Sequence, residues 1–297
     1  MPIRLDPNLL PDLLTAIQLS QQNLNTATQQ LASGRSVNQL SDNPAAVATL
    51  VGNHNQSRQD DQFLQNIGSL QTRLQVSDST LSNVVTVLTR AISIGTEGAN
   101  GTLSSADRQA VAGEVQGLTS QLLSLANTTY QGTYIFSGTA VTTQPFTLNT
   151  STNAVTYNGN ANTTSVQISS GNSINTSVPG SQLFTNAAGS AFSALQNLYS
   201  SLVSGNNIGQ AVTQLDSALA QVGVQRVFYG NALNQITLSQ NFLNQDKINL
   251  SAQENTLVGV DPAKAATNLV QAQIADQATL SATGRILSLP TLLDFLK

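Results

Sequence analysis

The sequence contains no cysteine and no tryptophan, and only one histidine and one methionine. Without cysteine there can be no disulfide framework, thiolate metal cluster or thiol nucleophile. Any Ser-His-Asp triad would have to use His54, which sits in the polar stretch VGNHNQSRQ, where a solvated surface side chain is expected. Metal sites built from histidine or cysteine clusters are excluded by count. Asp60 and Asp61 are sequence neighbours, which on a helix point roughly 100° apart, so they do not read as a catalytic pair. The glycines between Gly95 and Gly101 precede no Lys-Ser/Thr pair, so no phosphate-cradling loop is legible. No catalytic residue, cofactor or metal ligand is predicted, and an enzyme is not expected.

Charge is also scarce. Lys, Arg, Asp and Glu make up 9% of the chain, far below the usual quarter or so. The net charge of -4 offers no broad attraction for nucleic acid or an anionic membrane, and neither partner is expected. No apolar run reaches the roughly 18 residues of a membrane span. The opening MPIRLDPNLLPDLL lacks the apolar core of a cleaved secretion signal. Export, if it occurs, is expected to use a route that needs no cleaved signal.

What the chain does have is amide and hydroxyl side chains, 124 of 297 residues being Ser, Thr, Asn or Gln, together with heptads. Leu10, Ile17, Leu24 and Leu31 recur every seven residues, and with Leu14, Gln21 and Thr28 between them the stripe is thin. This helix is predicted to stop near Gly34. Ser41-Asp42-Asn43-Pro44 reads as a cap followed by proline at the first helical position. The next helix carries Ile67, Leu74, Leu81 and Leu88, with Leu70 and Val84 between, and fades over Gly95 to Gly101. A third opens at Ser105 to Asp107. Ile208, Leu215, Val222, Tyr229, Ile236, Leu243, Leu250 and Leu257 then keep a strict period of seven, which predicts a helix of about 50 residues with left-handed supercoiling. A last segment starts at Asp261-Pro262 and carries Leu269, Ile274, Leu280 and Leu287.

Between these helical halves the composition changes. No charged residue occurs after Glu114 until Asp216. Short β-like runs, TYIF, FTLN, AVTY and SVQIS, lie in a stretch rich in Thr, Asn and Gly, and Asn158-Gly159 is a turn signal. The expected fold is mainly α with an inserted small β domain, on a long α-helical coiled-coil bundle formed by the N- and C-terminal halves. The expected divisions are 1–40 with 260–297 as terminal assembly helices, 41–129 with 190–259 as the helical bundle, and 130–189 as the β-rich insert. The terminal stripes are too thin to offset the ordering entropy of each end alone, so those ends are expected to be disordered in the monomer and to fold on assembly.

The order helices, β insert, helices resembles the bacterial flagellin superfamily of axial proteins. QQLASGRSVNQLSDNPAAVATL is similar to that family's N-terminal signature, here through Ser33, Gly34, Arg35, Ser41, Asp42 and Pro44. Gly284 to Lys297 matches an amphipathic terminal helix. Within the superfamily, SDNPAA and the run Tyr130, Gly132, Tyr134, Phe136, Ser137 and Gly138 resemble the hook–filament junction branch more than filament flagellin. The resemblance implies a secreted, extracellular structural adapter at the hook–filament junction, exported by a type III route. It implies a ring of its own copies, an assembly seam of Leu10, Ile17, Leu24, Leu31, Leu269, Ile274, Leu280 and Leu287, and contacts with a hook-associated junction protein and flagellin. An export chaperone is expected at the C-terminal helix. A filament-forming flagellin and a coiled-coil surface adhesin stay open as alternatives.

Overall fold

The computed structural model describes residues 9–101, 103–149, 152–186 and 189–287. The side chains of Leu10 and Leu287 lie outside the described residues, as does most of the Gly284–Lys297 segment. Within the described chain the helices are α1 (Leu9–Ser33), α2 (Pro44–Gly98), α3 (Ser105–Ala126), α4 (Gly180–Phe184), α5 (Ala191–Ser204), α6 (Ile208–Val258) and α7 (Pro262–Leu287). The heptad-predicted helix of about 50 residues is α6, at 51. The start of α2 follows the capping logic. Asn43 Oδ1 accepts the Ala46 N–H at 3.1 Å, and Pro44 takes the first helical position. At α3, Ser104 and Asp107 form a reciprocal capping box.

The chain divides into two compact units, one within Met1–Arg58 and Asp246–Lys297, the other Gln59–Gln245. In the second unit the core is a continuous cluster built on heptad positions. From α2 come Ile67, Leu74, Leu81 and Leu88, all fully buried, with Leu70, Val84 and Ala91 beside them. From α6 come Ile208, Leu215, Val222, Tyr229, Ile236 and Leu243. The companion positions on α6 are Ala211, Ala218 and Ala232, three residues on, and are buried. The larger Val212, Leu219 and Leu233, four residues on, are only half-buried. Small side chains therefore fill the tightest part of the seam.

The insert holds strands β1 (Thr129–Tyr130), β2 (Thr133–Tyr134), β3 (Phe146–Leu148), β4 (Val155–Tyr157), β5 (Ser165–Ser169), β6 (Asn172–Asn175), β7 (Thr185–Asn186) and β8 (Gly189–Ser190). They pair only with their sequence neighbours, as four separate antiparallel hairpins. Such short ribbons are marginal alone. Phe136, Phe146, Phe184 and Phe192 hold them, with ring centroids 5.3 to 6.0 Å apart, and Tyr157 sits 5.0 Å from Phe146. Asn158-Gly159 is not a hairpin tip. It follows β4, and the Asn158 N–H donates to the Pro145 carbonyl at 2.8 Å.

Tyr229 ties insert to bundle. Its hydroxyl accepts the Val178 N–H at 3.2 Å, and burial pushes its phenol up to about 12. The unfolded phenol ionises near pH 10, so the folded chain keeps the neutral form favoured. That contribution is fully present below about pH 10 and is lost as pH rises through about 12, roughly 2–3 kcal/mol in all. Urea midpoints measured from pH 9 to 12 should fall steeply for the native chain. For Tyr229→Phe the unfolding free energy from the same titrations should start lower by about 1–3 kcal/mol and fall less.

Candidate functional site

The first family-like motif closes one end of the Met1–Arg58 and Asp246–Lys297 unit. At the end of α1 the Gly34 N–H donates to the Gln30 carbonyl at 3.0 Å, with Gly34 at φ +68, the left-handed stop that glycine adopts freely. Arg35 then pairs antiparallel with Gly259, between α6 and α7. Two backbone bonds make the clasp: Ser36 N–H to Val258 O at 2.6 Å and Val260 N–H to Gly34 O at 3.1 Å. The Arg35 guanidinium meets Glu254 at 2.5 Å, and His54 Nε2 lies 3.5 Å from the same carboxylate. His54 is thus half-exposed but beside an acid, which its polar surroundings in sequence did not reveal.

Asp42 organises the loop that leads into α2. Its Oδ2 accepts the N–H groups of Asn38 and Gln39, each at 2.9 Å. The Gln39 and Asn38 bonds hold its carboxyl below the ordinary aspartate value. Ser33 Oγ donates to Asn38 Oδ1 at 2.8 Å and accepts the Arg35 N–H at 3.2 Å. Ser33, Gly34, Arg35 and Asp42 therefore belong to one local hydrogen-bonded structure, and Pro44 follows it at the start of α2.

Gly259 is fixed by space. A Cβ there would run into the Asn255 carbonyl and side-chain oxygens. Gly259→Ala must displace the α6 end and open the clasp, at a cost of about 1–3 kcal/mol. Faster amide exchange at Ser36 and Val260, with unchanged exchange in residues 59–245, is the expected outcome.

Below the clasp α1 packs along α7, the most extensive helix pairing of the unit. The faces they turn together are small and polar: Ser20, Ala27, Ala265 and Thr283 are buried, with Ile17, Leu24, Leu269, Ala272 and Asp276 half-buried. Ser20 Oγ and Asp276 Oδ1 are buried without a hydrogen-bond partner. Large apolar side chains point away, including Leu14 at 60%, Leu19 at 58%, Val270 at 53%, Ile274 at 62%, Leu280 at 47% and Leu31 at 38% exposure. The stripe that α7 covers continues from Ile17 and Leu24 through Ser20 and Ala27, not through Gln21 and Thr28, which are exposed. Of the predicted seam, Ile17, Leu24 and Leu269 are half-buried, while Leu31, Ile274 and Leu280 are exposed.

The second motif lies in the other unit. Gln131 (φ +50) and Gly132 (φ +77) make the two-residue turn between β1 and β2, the double-positive geometry that matches strand twist. Tyr130 and Tyr134 are half-buried; Phe136, Ser137 and Gly138 are buried. The Phe136 carbonyl accepts the Gly180 N–H at 2.8 Å and the Tyr157 hydroxyl at 3.0 Å, and the Ser137 carbonyl accepts the Asn160 N–H at 3.2 Å. The Ser137 hydroxyl donates to the Tyr134 carbonyl at 3.2 Å. This motif organises the insert.

Among the described residues no group of three or more His, Asp or Glu side chains converges as a metal site, and no helix is long and apolar enough to cross a membrane.

Terminal helices paired across a clasp, with a hairpin insert in a helical bundle, define a mainly α-helical subunit of flagellin-like architecture. Residues 11–140 match the family model for the bacterial flagellin N-terminal helical region, and residues 206–296 that for the C-terminal helical region. The chain belongs to the bacterial flagellin family. Among curated relatives it is similar to flagellar hook-associated protein 3 of Salmonella typhimurium, with 26% identity over 292 residues, covering 90% of this chain and 91% of that protein. It is 36% identical over 119 residues to flagellar hook-associated protein 3 of Escherichia coli, a match spanning 40% of this chain and only 38% of that protein. The flagellar junction protein FlgL from Legionella pneumophila shares the fold, with a TM-score of 0.63, 20% identity, 71% of this chain and all of that chain covered.

Proposed function

We propose that this chain is a structural adapter of the bacterial flagellum, joining a hook-side junction protein to the flagellin filament as a ring of its own copies. The observation that carries the proposal is the terminal hairpin. It turns mostly small and polar groups inward, with Ile17, Leu24 and Leu269 only half-buried, and leaves Leu14, Leu19, Ile274 and Leu280 exposed, the reverse of a helix pair built to stand alone. The orphaned Ser20 and Asp276 oxygens cost about 1–3 kcal/mol each, which leaves the isolated hairpin weak. Neighbouring copies would cover Leu14, Leu19, Ile274 and Leu280. Near full-length likeness to a hook-associated protein 3 supports the junction reading over a filament-forming flagellin.

On this reading residues 1–40 with 260–297 are the assembly pair, 41–129 with 190–259 the bundle, and 130–189 the outer insert. The protein acts outside the cell, and an export chaperone covers the C-terminal helix before secretion. The assembly pair orders fully only beside neighbours, so amide exchange over residues 11–33 and 262–286 should be fast in the free subunit. Strong protection there would overturn that part.

Deleting the gene tests the function. The adapter reading expects hooks without filaments and flagellin released into the medium. Filaments of ordinary length on the deletion strain would overturn it in favour of a minor flagellin.

A further inference from the structure

A hollow of about 230 Å³, its surface more apolar than polar, lies in the 59–245 unit, between α2 and the insert. Asn66, Ser69 and Arg73 border it from α2, and Tyr130, Gln131 and Thr133 from the β1–β2 hairpin. Val166 and Thr176 close it from the β5–β6 side. Arg73 is the only charged residue of this lining.

Among the described residues the guanidinium has no acid beside it, a situation it shares in this unit with Arg108. Its Nε is buried without a hydrogen-bond partner, and it joins none of the ion pairs among the described residues. The two ion-paired arginines of the unit do have acids: Arg226 forks Asp78 at 3.0 and 3.3 Å, and Arg90 meets Glu114 at 2.7 Å. Burial lowers the Arg73 pKa from its ordinary value, with Tyr229 and Tyr130 opposing, yet arginine stays charged. A cation whose Nε–H has no acceptor is a standing cost that an anion can remove.

The rest of the lining is fixed and neutral. Asn66 Nδ2 donates to the Gln167 carbonyl at 3.3 Å, and Gln131 Nε2 to the Tyr130 hydroxyl at 3.3 Å. Thr133 and Thr176 spend their hydroxyl protons on the carbonyls of Tyr130 and Thr164. Gln131 holds a positive φ without being glycine, so the hairpin tip is kept in place against a local preference. One cation in a neutral lining balances one negative charge, which favours a carboxylate over a phosphate dianion. The planar donor set of a guanidinium matches the two carboxylate oxygens. Leu70, Val166 and the Tyr130 ring leave apolar wall for a short stem.

We propose that this hollow is a binding site for a single carboxylate on a short stem, held by the Arg73 fork. The carboxylate comes either from an Asp or Glu side chain of an adjoining protein subunit or from a free small carboxylic acid.

The test uses the full chain labelled with ¹⁵N. Sodium acetate is titrated against sodium chloride at matched ionic strength, following the Arg73 Nε–H and the amides of Gln131 and Thr133. A saturable, millimolar response to acetate and not to chloride is expected, weakened at least tenfold by Arg73→Lys with its melting curve unchanged. No saturable response, an equal response to chloride, or a response that Arg73→Lys leaves intact overturns the proposal. If Arg73→Lys shifts the melt, Arg73→Gln serves as the second variant under the same criteria. The sources separate in assembled material carrying Arg73→Lys and treated with carbodiimide. Coupling of the introduced amine to a neighbour's carboxylate assigns the occupant to protein, and acetate binding without coupling assigns it to a free acid.

Discussion

Ile274→Asp combined with Leu280→Asp should abolish incorporation at the hook while leaving the free subunit intact. Both side chains stand on the outer face of α7, 62% and 47% exposed, so a carboxylate there stays hydrated in the monomer. In an assembly that covers them, each substitution forfeits roughly 1.5–3 kcal/mol of apolar burial. Each also places a charge on a face that assembly covers, a further penalty of several kcal/mol. At about 1.4 kcal/mol per factor of ten, the loss is a hundredfold or more. Co-sedimentation with purified hooks measures it, and the far-ultraviolet spectrum of the free chain checks the fold. Incorporation at the native level would remove the outward face from the assembly.

Phe146→Ala is the other large effect, of a different kind. Phe146 is fully buried and meets Phe184, Phe192 and Tyr157 at 5.0 to 5.3 Å, joining β3 to α4, α5 and β4. Its removal leaves a cavity that four short hairpins cannot collapse to fill, at a cost of about 3–5 kcal/mol. Urea unfolding followed by tyrosine fluorescence should show that fall in the 59–245 unit. A change below about 1 kcal/mol would mean that the hairpins do not depend on the phenylalanine cluster.

The helical half of this architecture was legible because strict seven-residue spacing has one physical reading. Ile67 to Leu88 and Ile208 to Leu243 are buried in the register their spacing implies. The second seam position was harder, because alanine signals hydrophobic burial weakly. Ala211, Ala218 and Ala232 are buried, whereas the larger neighbours Val212, Leu219 and Leu233 are only half-buried. Gly95 and Gly98 read as the fading of a helix. In the structure they lie within α2, where a Cβ at either would meet Leu198 or Leu202. The helix α5, with Leu195, Leu198 and Leu202 buried, sits in the charge-free stretch and has too short a period to stand out.

The candidate site was legible as motif and not as geometry. Ser33, Gly34, Arg35, Asp42 and Pro44 could be picked from the sequence. Their partners Glu254, Val258 and Gly259 lie more than two hundred residues away, and no local pattern links them. Which way a terminal helix faces was also not legible. The stripe holding Ile17 and Leu24 differs from the one holding Leu14 by a fraction of a turn. Only the partner helix settles which is covered.

Filament growth from purified hooks tests the account most directly. Hooks bearing the hook-side junction protein are incubated with flagellin, with and without this chain. The adapter account predicts filaments only when the chain is added, with the chain itself confined to a short zone at the hook. Filaments that grow equally well without it, or long filaments of this chain alone, would contradict that account.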